Sequence, residues 1–326
     1  MASTVLVITS LEDVTADWVI AALNERGAPV ARIDPADIGA GLSFAARIGE
    51  GGRPVWSGTV RTPVRTVELD EVAAVYYRRP TPYQDRFAHL PPQQRDFSVA
   101  EARHGLGGLL YALRGVRYIS HPAAIARAEF KPAQLRCFAE LGLTIPPTLI
   151  TNDNAQAAKF AAHHGRIIYK TFRGLPPTEN GYTGAIWAQP VDPSTFDDSI
   201  AVTAHLFQAE VPSVGNVRVT VVGDIIFAQT ITAPKGVLDW RRCPPETLTY
   251  APTTVPGTIA AALRAYLRSF TLEFGCFDFA LTGDAADPEH WTVYECNPNG
   301  QFGWLPDADQ IVTALAGLLQ QGAVPS

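Results

Sequence analysis

The sequence predicts a mixed α/β protein built from three units: an N-terminal α/β domain, a small central α/β domain and a C-terminal antiparallel-sheet domain. Three observations support this. The chain begins with a β-α-β pattern, its middle part combines amphipathic helices with short apolar strands, and its last third contains consecutive strands that can form hairpins. A chain of 326 residues, of which 47% are hydrophobic, is long enough to bury more than one core.

The N-terminal unit is predicted to span residues 1–120. "TVLVIT" has the pattern of a buried strand, "DVTADWVIAALNERG" has helical spacing that ends at a glycine, and "APVARID" is a second strand. Further strands are predicted at "LSFAARI", "RPVWSGTV" and "VAAVYYRRP". A long helix over "PPQQRDFSVAEARHGLGGLLYALRG" then leads to "RYISHP", where we expect the first domain to end.

The central unit is predicted to span residues 121–206. "RAEFKPAQLRCFAELG" is an amphipathic helix, "LTIPPTLIT" is extended, "NAQAAKFAAHHG" is a second helix, and "RIIYKTF" is a strand. The stretch "FRGLPPTENGYTG" is rich in Pro, Gly, Thr and Asn, and this composition predicts a mobile loop.

The C-terminal unit is predicted to span residues 207–326, with "AHLFQAEVP" at its start. "GNVRVTVVGD" and "IIFAQTIT" follow as strands, "TIAAALRAYLRSFTLEFG" is a helix, and "CFDFALTG" and "WTVYECNP" are two more strands. Strands that follow one another through short polar loops favour an antiparallel sheet, with helices covering one face.

Composition and charge narrow the classes of partner. The net charge is -6 and charges of both signs are interspersed, so no basic stripe of the kind that binds nucleic acid is present. The start "MASTVLVITSLED" lacks a cationic segment, and no apolar run approaches membrane length, so we expect a cytoplasmic protein with no membrane partner. The four cysteines form no C-x-x-C pair, so neither a disulfide framework nor a zinc site is expected.

The last two strands carry the strongest signal for a functional site. The polar loop "TGDAADPEH" makes them a hairpin, and symmetric pairing sets Asp278 roughly opposite Glu295, with Asn297 on the same face as Glu295. Two facing carboxylates repel each other unless a positive charge lies between them, and Mg²⁺ prefers oxygen ligands. The alternative is a solvated glutamate before an ordinary "NPNG" turn. Trp240 and Trp304 fit either a substrate cleft or a core.

Lysine positions are informative because only four of the 26 basic residues are lysines. Lys131 opens the first central helix and Lys170 ends the strand "RIIYK", so the two ammonium groups could bind phosphates from one side of a cleft; the alternative is two surface lysines. Arg218 lies within the strand "NVRVTVV", where an arginine that faces the sheet needs an anionic partner; Asp224 and Glu210 are candidates.

Two arginine pairs are candidate substrate-binding residues. Arg78 and Arg79 follow the strand "AVYY", while Arg241 and Arg242 follow "LDW", whose Asp239 is a further candidate for substrate binding. The planar guanidinium groups suit the carboxylates of a peptide. The alternative for each pair is one exposed arginine and one structural ion pair, for which Asp239 is a suitable partner. The sequence leaves both interpretations open.

Several of these segments together resemble the ATP-grasp superfamily, and more narrowly the graspetide synthetases, the microviridin-type ligases that close macrocycles in ribosomally made peptides. The similar segments are "EFKPAQLRCFAELGLTIPPTLIT", "IIYKTF", "LFQAEV", "NVRVTVVGD", "CFDFAL" and "YECNPNGQFGW". The resemblance extends over nearly the whole chain through "VLVIT", "YYRRP", "SHPAAIARA" and "DWRR". "ECNPNGQFGW" is its most specific part, because the aromatic tail is similar to the peptide-modifying group.

The resemblance implies roles for most of the candidate residues. The implied nucleotide-binding residues are Lys131, Lys170, Gln208, Ala209, Glu210 and Val211, of which the last four would form a hinge against the adenine. The implied ligands of Mg²⁺ are Asp278, Glu295 and Asn297. Arg218 is implied as the catalytic residue that faces the transferred phosphate and the acyl group. Ala209 and Asn216 depart from the family pattern, since similar proteins usually carry acidic residues there.

The implied function is ATP-dependent macrocyclisation of a precursor peptide made of a leader and a core. An Asp or Glu side chain would become an acyl phosphate, which a Thr or Ser hydroxyl attacks to form an ω-ester or a Lys amine attacks to form an ω-amide. Two alternatives stay open: an ATP-grasp ligase that joins an amino acid to a peptide or a small carboxylic acid, and a non-catalytic nucleotide- or peptide-binding module. Related enzymes often form homodimers, so a homodimer is also a candidate state.

Overall fold

The computed structural model describes residues 4–52, 54–173 and 186–322. Most of "FRGLPPTENGYTG", the stretch predicted as a mobile loop, lies outside these residues. None of the helices in these ranges is long and apolar enough to cross a membrane.

The N-terminal part contains the predicted β-α-β start and a second, smaller sheet. Its elements are β1 (Thr4–Ile8), α1 (Val14–Glu25), β2 (Val30–Ile33), β3 (Ser43–Arg47), β4 (Ser57–Arg61), β5 (Thr66–Glu68), β6 (Val72–Tyr77), α2 (Tyr83–Arg86), α3 (Pro92–Ala102), α4 (Gly108–Tyr111) and β7 (Arg117–Ile119). A parallel sheet has the order β2-β1-β6-β7, and β3-β4-β5 form an antiparallel sheet. The predicted long helix is α3 and α4, joined by a π-helical segment at Arg103–Gly107.

The central part forms a four-stranded sheet with the order β10-β9-β11-β8. Its elements are α5 (Pro122–Ala128), α6 (Lys131–Glu140), β8 (Thr148–Thr151), α7 (Asn154–His164), β9 (Ile167–Lys170), β10 (Gln189–Pro190) and β11 (His205–Ala209). The prediction that "AHLFQAEVP" starts the C-terminal sheet was wrong, because β11 pairs with β8 and β9. A limit after residue 206 would divide this strand, so we propose residue 210 as the end of the central unit.

The C-terminal part is the predicted antiparallel sheet, with the order β14-β13-β12-β15-β16. Its elements are β12 (Gly215–Val222), β13 (Ile225–Thr232), β14 (Thr249–Pro252), α8 (Gly257–Phe270), β15 (Phe274–Leu281), β16 (Trp291–Asn297) and α9 (Ala308–Gln320). The β12–β13 connection is a tight turn at Gly223, whose positive φ of 55° is readily adopted by glycine.

The two faces of this sheet pack against different partners. One face forms a core with α5, α6 and α8, in which Phe138 stacks on Tyr266 at a ring-centroid distance of 4.6 Å. Towards the other face, Phe274, Cys276 and Val222 join a second core with α9, α1 and the parallel sheet. Helix α9 therefore packs between the C-terminal sheet and the N-terminal part of the chain. The part of this second face of the sheet that lies outside the core can carry polar side chains.

We expect Phe138→Ala to lower the free energy of unfolding by about 3–5 kcal/mol, because the substitution removes a fully buried ring between α6, α8 and β15. Phe97→Ala is the matched control, since Phe97 is 66% exposed on α3 and should change stability by less than about 0.5 kcal/mol. Urea unfolding followed by circular dichroism measures both values. Equal effects of the two substitutions would contradict the described packing of α6.

Candidate active site

A β-bulge in β16 brings Glu295 to the same face of the sheet as Asp278. The register pairs Phe279 with Val293 and Asp278 with Glu295, so Tyr294 is an extra residue between the two pairs. Phe279 and Val293 both lie in the core. Without the extra residue, the two-residue repeat of a strand would direct Glu295 into the same core. The bulge directs Glu295 away from the core and opposite Asp278, and the predicted pairing of the two carboxylates is confirmed.

Arg218 neutralises the first of these carboxylates. It lies opposite Asp278 on β12, and its Nη1 donates to both Asp278 oxygens at 2.8 Å. The sequence had offered Asp224 or Glu210 as partners. Asn297 Nδ2 also donates to Asp278 Oδ2 at 3.0 Å. Burial lowers the pKa of Arg218, but Asp278 and the other neighbouring acidic groups together raise it by more, so the guanidinium stays charged.

Cations from two other parts of the chain neutralise Glu295. Lys131, at the first turn of α6, forms a hydrogen-bonded ion pair with Oε2, and Arg241 Nη1 lies 3.5 Å from Oε1. Burial by itself would raise the pKa of Glu295. Lys131, Lys170 and Arg241 outweigh this effect and hold the pKa at about 2. The carboxylate is therefore ionised at neutral pH.

Gln134 fixes the edge strand beside Glu295, and the sequence analysis did not identify it. Its Nε2 donates to the carbonyl oxygens of Cys296 and Ala128 at 2.9 and 2.6 Å, and its Oε1 accepts from the Cys296 N–H at 2.9 Å. The side chain thus satisfies both backbone groups of an edge residue, as another strand would. It lies one helical turn after Lys131, a spacing that could have suggested that both residues face the same site.

Lys170 ends β9, as predicted, and is partly buried. Its Nζ lies 4.1 Å from the ring centroid of Tyr294, the bulge residue. Burial lowers the pKa of Lys170 to about 8, although Glu295 opposes this effect. The bulge therefore supplies an aromatic contact for this lysine in addition to orienting Glu295.

The second arginine pair is divided between two environments. Asp239 is buried, caps the turn Trp240–Arg242, and accepts two hydrogen bonds of 2.8 Å from Arg241. Arg241 thereby points at Glu295, and its guanidinium lies 5.6 Å from the Trp187 ring centroid. Asp239 thus holds Arg241 in place. Arg242 is exposed and does not line the main cavity.

The first arginine pair is also divided, and the prediction that Arg78 binds substrate was wrong. Arg78 is 1% exposed, and both its Nη atoms donate to residues of the turn Asn299–Gln301. Consecutive residues of an extended segment point to opposite sides, so Arg79 points to the cavity and helps to line it. Burial of Arg79 lowers its pKa, with the nearby charge of Arg78 adding to this effect.

The four predicted hinge residues follow one another at the end of β11. Gln208 is buried and its Nε2 donates to Thr148 Oγ1 at 3.0 Å, while its Oε1 has no partner among the described residues. Glu210 accepts a hydrogen bond of 2.8 Å from Arg166. Gln208, Ala209, Glu210 and Val211 line neither of the two cavities next to the carboxylates. Their contact with adenine stays a prediction.

The charged residues lie at one end of a cavity of about 770 Å³. Its lining includes Arg79, Lys131, Gln134, Lys170, Arg218, Arg241, Asp278, Glu295 and Asn297. The cavity also has an aromatic wall: the Trp304 ring lies 5.1 Å from that of Trp240 and 5.8 Å from that of Tyr250. The Arg218 guanidinium lies 5.9 Å from the Trp304 ring centroid, between the charged and aromatic parts.

The donor set fits Mg²⁺ held jointly with phosphate. Within the described ranges, no group of three or more His, Cys, Asp or Glu side chains could hold a metal ion without other ligands. Asp278 and Glu295 contribute carboxylates, and Asn297 contributes an amide oxygen, since its nitrogen already donates to Asp278. Mg²⁺ is commonly bound through one or two carboxylates and completes its shell with phosphate oxygens and water. These residues agree with that mode of binding.

Comparison with known families and structures agrees with this geometry. A family model described as the MvdD pre-ATP-grasp domain matches residues 4–126. The chain has an ATP-grasp fold, and its N-terminal part matches a pre-ATP-grasp domain of the MvdD type. A comparison with curated protein sequences found no match.

Three solved structures resemble the fold of the whole chain. The RiPP-associated ATP-grasp ligase from Chryseobacterium gregarium, in complex with ADP and a leader and core peptide, has a TM-score of 0.85 and 21% identity over 98% of this chain and 97% of that one. Macrocyclase MdnC from Microcystis aeruginosa MRC, bound with precursor peptide MdnA, has a TM-score of 0.84 and 25% identity over 98% and 99%. Macrocyclase MdnB from the same organism has a TM-score of 0.76 and 25% identity over 97% and 99%.

We expect Lys170→Met to stabilise the fold near pH 7 and to lose this advantage as the pH rises. The native pKa of about 8 lies below the ordinary 10.5, so burial of the charged lysine costs free energy below pH 8. Between pH 8 and 10.5 the unfolded chain binds more protons at this position, so the wild-type protein gains stability relative to the variant. The expected difference at pH 7 is on the order of 1–2 kcal/mol, discounted for partial exposure.

Urea unfolding of both proteins at pH 7, 8.5 and 10 measures this effect. Lys159→Met is the control, because Lys159 is exposed on α7 and its loss should shift the stability curve equally at each pH. A constant difference between wild type and Lys170→Met across this range would disprove the lowered pKa.

Proposed function

We propose that this protein is an ATP-dependent macrocyclase of a ribosomally made precursor peptide. One observation carries the proposal: Lys131, Lys170, Arg218, Asp278 and Glu295 meet at one end of a cavity whose other wall is aromatic. Two proteins with similar folds are described as bound to ADP with a leader and core peptide, and to a precursor peptide. Those descriptions support the same type of substrate for this chain.

The charged end suits phosphoryl transfer to a carboxylate. Lys131 and Lys170 would neutralise the phosphates of ATP, and Arg218 would stabilise the negative oxygens of the transferred group. Asp278, Glu295 and Asn297 would hold Mg²⁺, which on binding offsets the charge of the β- and γ-phosphates. Before nucleotide binds, each lysine or arginine here has an anionic or aromatic partner on the chain, so these side chains are already oriented towards the site.

The reaction removes one water from the peptide for each bond formed. An Asp or Glu carboxylate attacks the γ-phosphorus of ATP, ADP leaves, and an acyl phosphate forms. A hydroxyl or amine of the same peptide then attacks the acyl carbon and loses its proton, and phosphate leaves. The aromatic wall of Trp240, Trp304 and Tyr250 would shield the acyl phosphate from water during the second step.

The substrate side of the cavity is proposed to bind peptide through Arg79 and this aromatic wall. Arg241 is also proposed to bind substrate, from a loop position that Asp239 fixes next to Glu295. Both ω-ester and ω-amide products are compatible with this arrangement. The homodimer expected from the resemblance also stays a prediction.

The direct test is mass spectrometry of a peptide encoded beside this gene, rich in Thr and in Asp or Glu, after incubation with protein, ATP and Mg²⁺. We expect loss of whole waters that depends on ATP. Glu295→Gln should slow this loss by about 10²-fold or more, because it removes a charge that would hold the metal. Glu289→Gln is the matched control, since Glu289 is exposed in the loop before β16.

Three outcomes would change the proposal. A gain in the mass of a second substrate would indicate an intermolecular ligase. Nucleotide binding without any change in peptide mass would indicate a non-catalytic binding module. Full activity of Glu295→Gln would show that Glu295 is not a required ligand of Mg²⁺.

A further inference from the structure

We infer that Arg78, in the N-terminal domain, positions Arg218 through the turn Asn299–Gln301, so that the N-terminal domain completes the reactive end of the cavity. Arg78 touches neither cavity next to the carboxylates, so it is a positioning residue. The geometry stands by itself, whereas its consequence for turnover rests on the proposed function.

Arg78 is hydrogen-bonded to the turn through both of its Nη atoms. Nη1 donates to the Asn299 carbonyl, the Asn299 Oδ1 and the Gly300 carbonyl at 2.9, 3.1 and 3.0 Å, and Nη2 donates to Gln301 Oε1 at 2.6 Å. Asn299 Nδ2 donates in return to the Arg78 carbonyl. A planar guanidinium can satisfy acceptors on three successive residues at once, which a lysine ammonium cannot do with the same geometry.

Asp13 compensates the buried charge of Arg78. Asp13 Oδ2 lies 3.6 Å from Arg78 Nε, and Thr9 Oγ1 donates to the same Asp13 oxygen at 2.8 Å. Thr15 Oγ1 adds a hydrogen bond of 3.0 Å to Gln301 Oε1. A buried ion pair contributes little net stability by itself, and the geometry of Arg78 is fixed by the hydrogen bonds from its Nη atoms to the turn. The turn is thus held against the start of α1 as well as against β6.

The same turn contacts Arg218 directly. The Gln301 carbonyl accepts from Arg218 Nη2 at 3.0 Å, while the side chain of the same residue is held by Arg78. Gly300 packs so closely that a Cβ there would lie 2.9 Å from Arg218 Nη2 and 2.6 Å from Cys276 Cβ. Gln301 and Gly300 therefore fix one side of the Arg218 guanidinium, and Asp278 fixes the other.

The first test measures the position of Arg218 without any substrate. In ¹⁵N-labelled full-length protein, the Arg218 Nε–Hε signal is assigned by its absence from Arg218→Lys. We expect Arg78→Lys to shift this signal by more than its line width. Arg117→Lys is the matched control: Arg117 also bridges the two domains, to Gly322 and Glu273, but away from the turn, and should leave the signal in place. An unchanged signal in Arg78→Lys would overturn the inference.

The second test is a double-mutant cycle on the rate of peptide dehydration. A residue that acts through Arg218 should lower kcat by up to about 10²-fold with little change in the KM for ATP, and its effect should vanish when Arg218 is already Lys. A general structural role would instead multiply the two losses. Multiplicative losses, or wild-type kcat in Arg78→Lys, would refute the positioning role.

Gly300→Ala keeps the inference testable if Arg78→Lys does not fold. The added methyl should shift the Arg218 signal and lower kcat, because it meets Arg218 and Cys276 directly. An unshifted signal with wild-type turnover would show that the turn does not set the position of Arg218. If wild-type protein dehydrates no peptide, the proposed function fails, while the Arg218 signal still decides the geometry.

Discussion

The site depends on the compensation of two like charges that the sheet places side by side. Asp278 and Glu295 face each other across β15 and β16, where uncompensated carboxylates would repel. Arg218 from β12 neutralises one, and Lys131 from α6 neutralises the other. Each cation comes from a different neighbouring element, so the charge pattern requires the sheet and the helix to be assembled together.

The need to present both carboxylates beside their cations also explains which residues surround them. The bulge at Tyr294 lets β16 keep Val293 in the core and still present Glu295 to the site. Gln134 ties this edge strand to the helix that carries Lys131. The segment "GQFGW", which follows this strand, contributes to three different environments. The Gln301 carbonyl accepts a hydrogen bond from Arg218, Phe302 packs in the second core, and Trp304 forms part of the aromatic wall.

Sequence patterns identified the residues whose position follows from local periodicity. The approximate pairing of Asp278 with Glu295 follows from the predicted hairpin, although the bulge at Tyr294 sets the exact register, and the choice of Lys131 and Lys170 as candidates follows from the scarcity of lysine. The same patterns could not tell which of Arg78 and Arg79 faces the cavity, because adjacent residues of an extended segment face opposite sides and either choice satisfies the pattern. Gln134 was missed because two of its three hydrogen bonds join it to backbone atoms of Cys296, 162 residues away.

By itself, the sequence determined the mixed α/β fold class, the family resemblance and the identity of the charged groups, because these are encoded in periodicity and residue type. Only the tertiary structure decided that β11 belongs to the central sheet, that Arg78 is buried beneath a turn, and that Asp239 holds Arg241. Those outcomes depend on which distant surfaces meet. A buried guanidinium and an exposed one have the same local sequence signature, and their environments differ only after packing removes one of them from water.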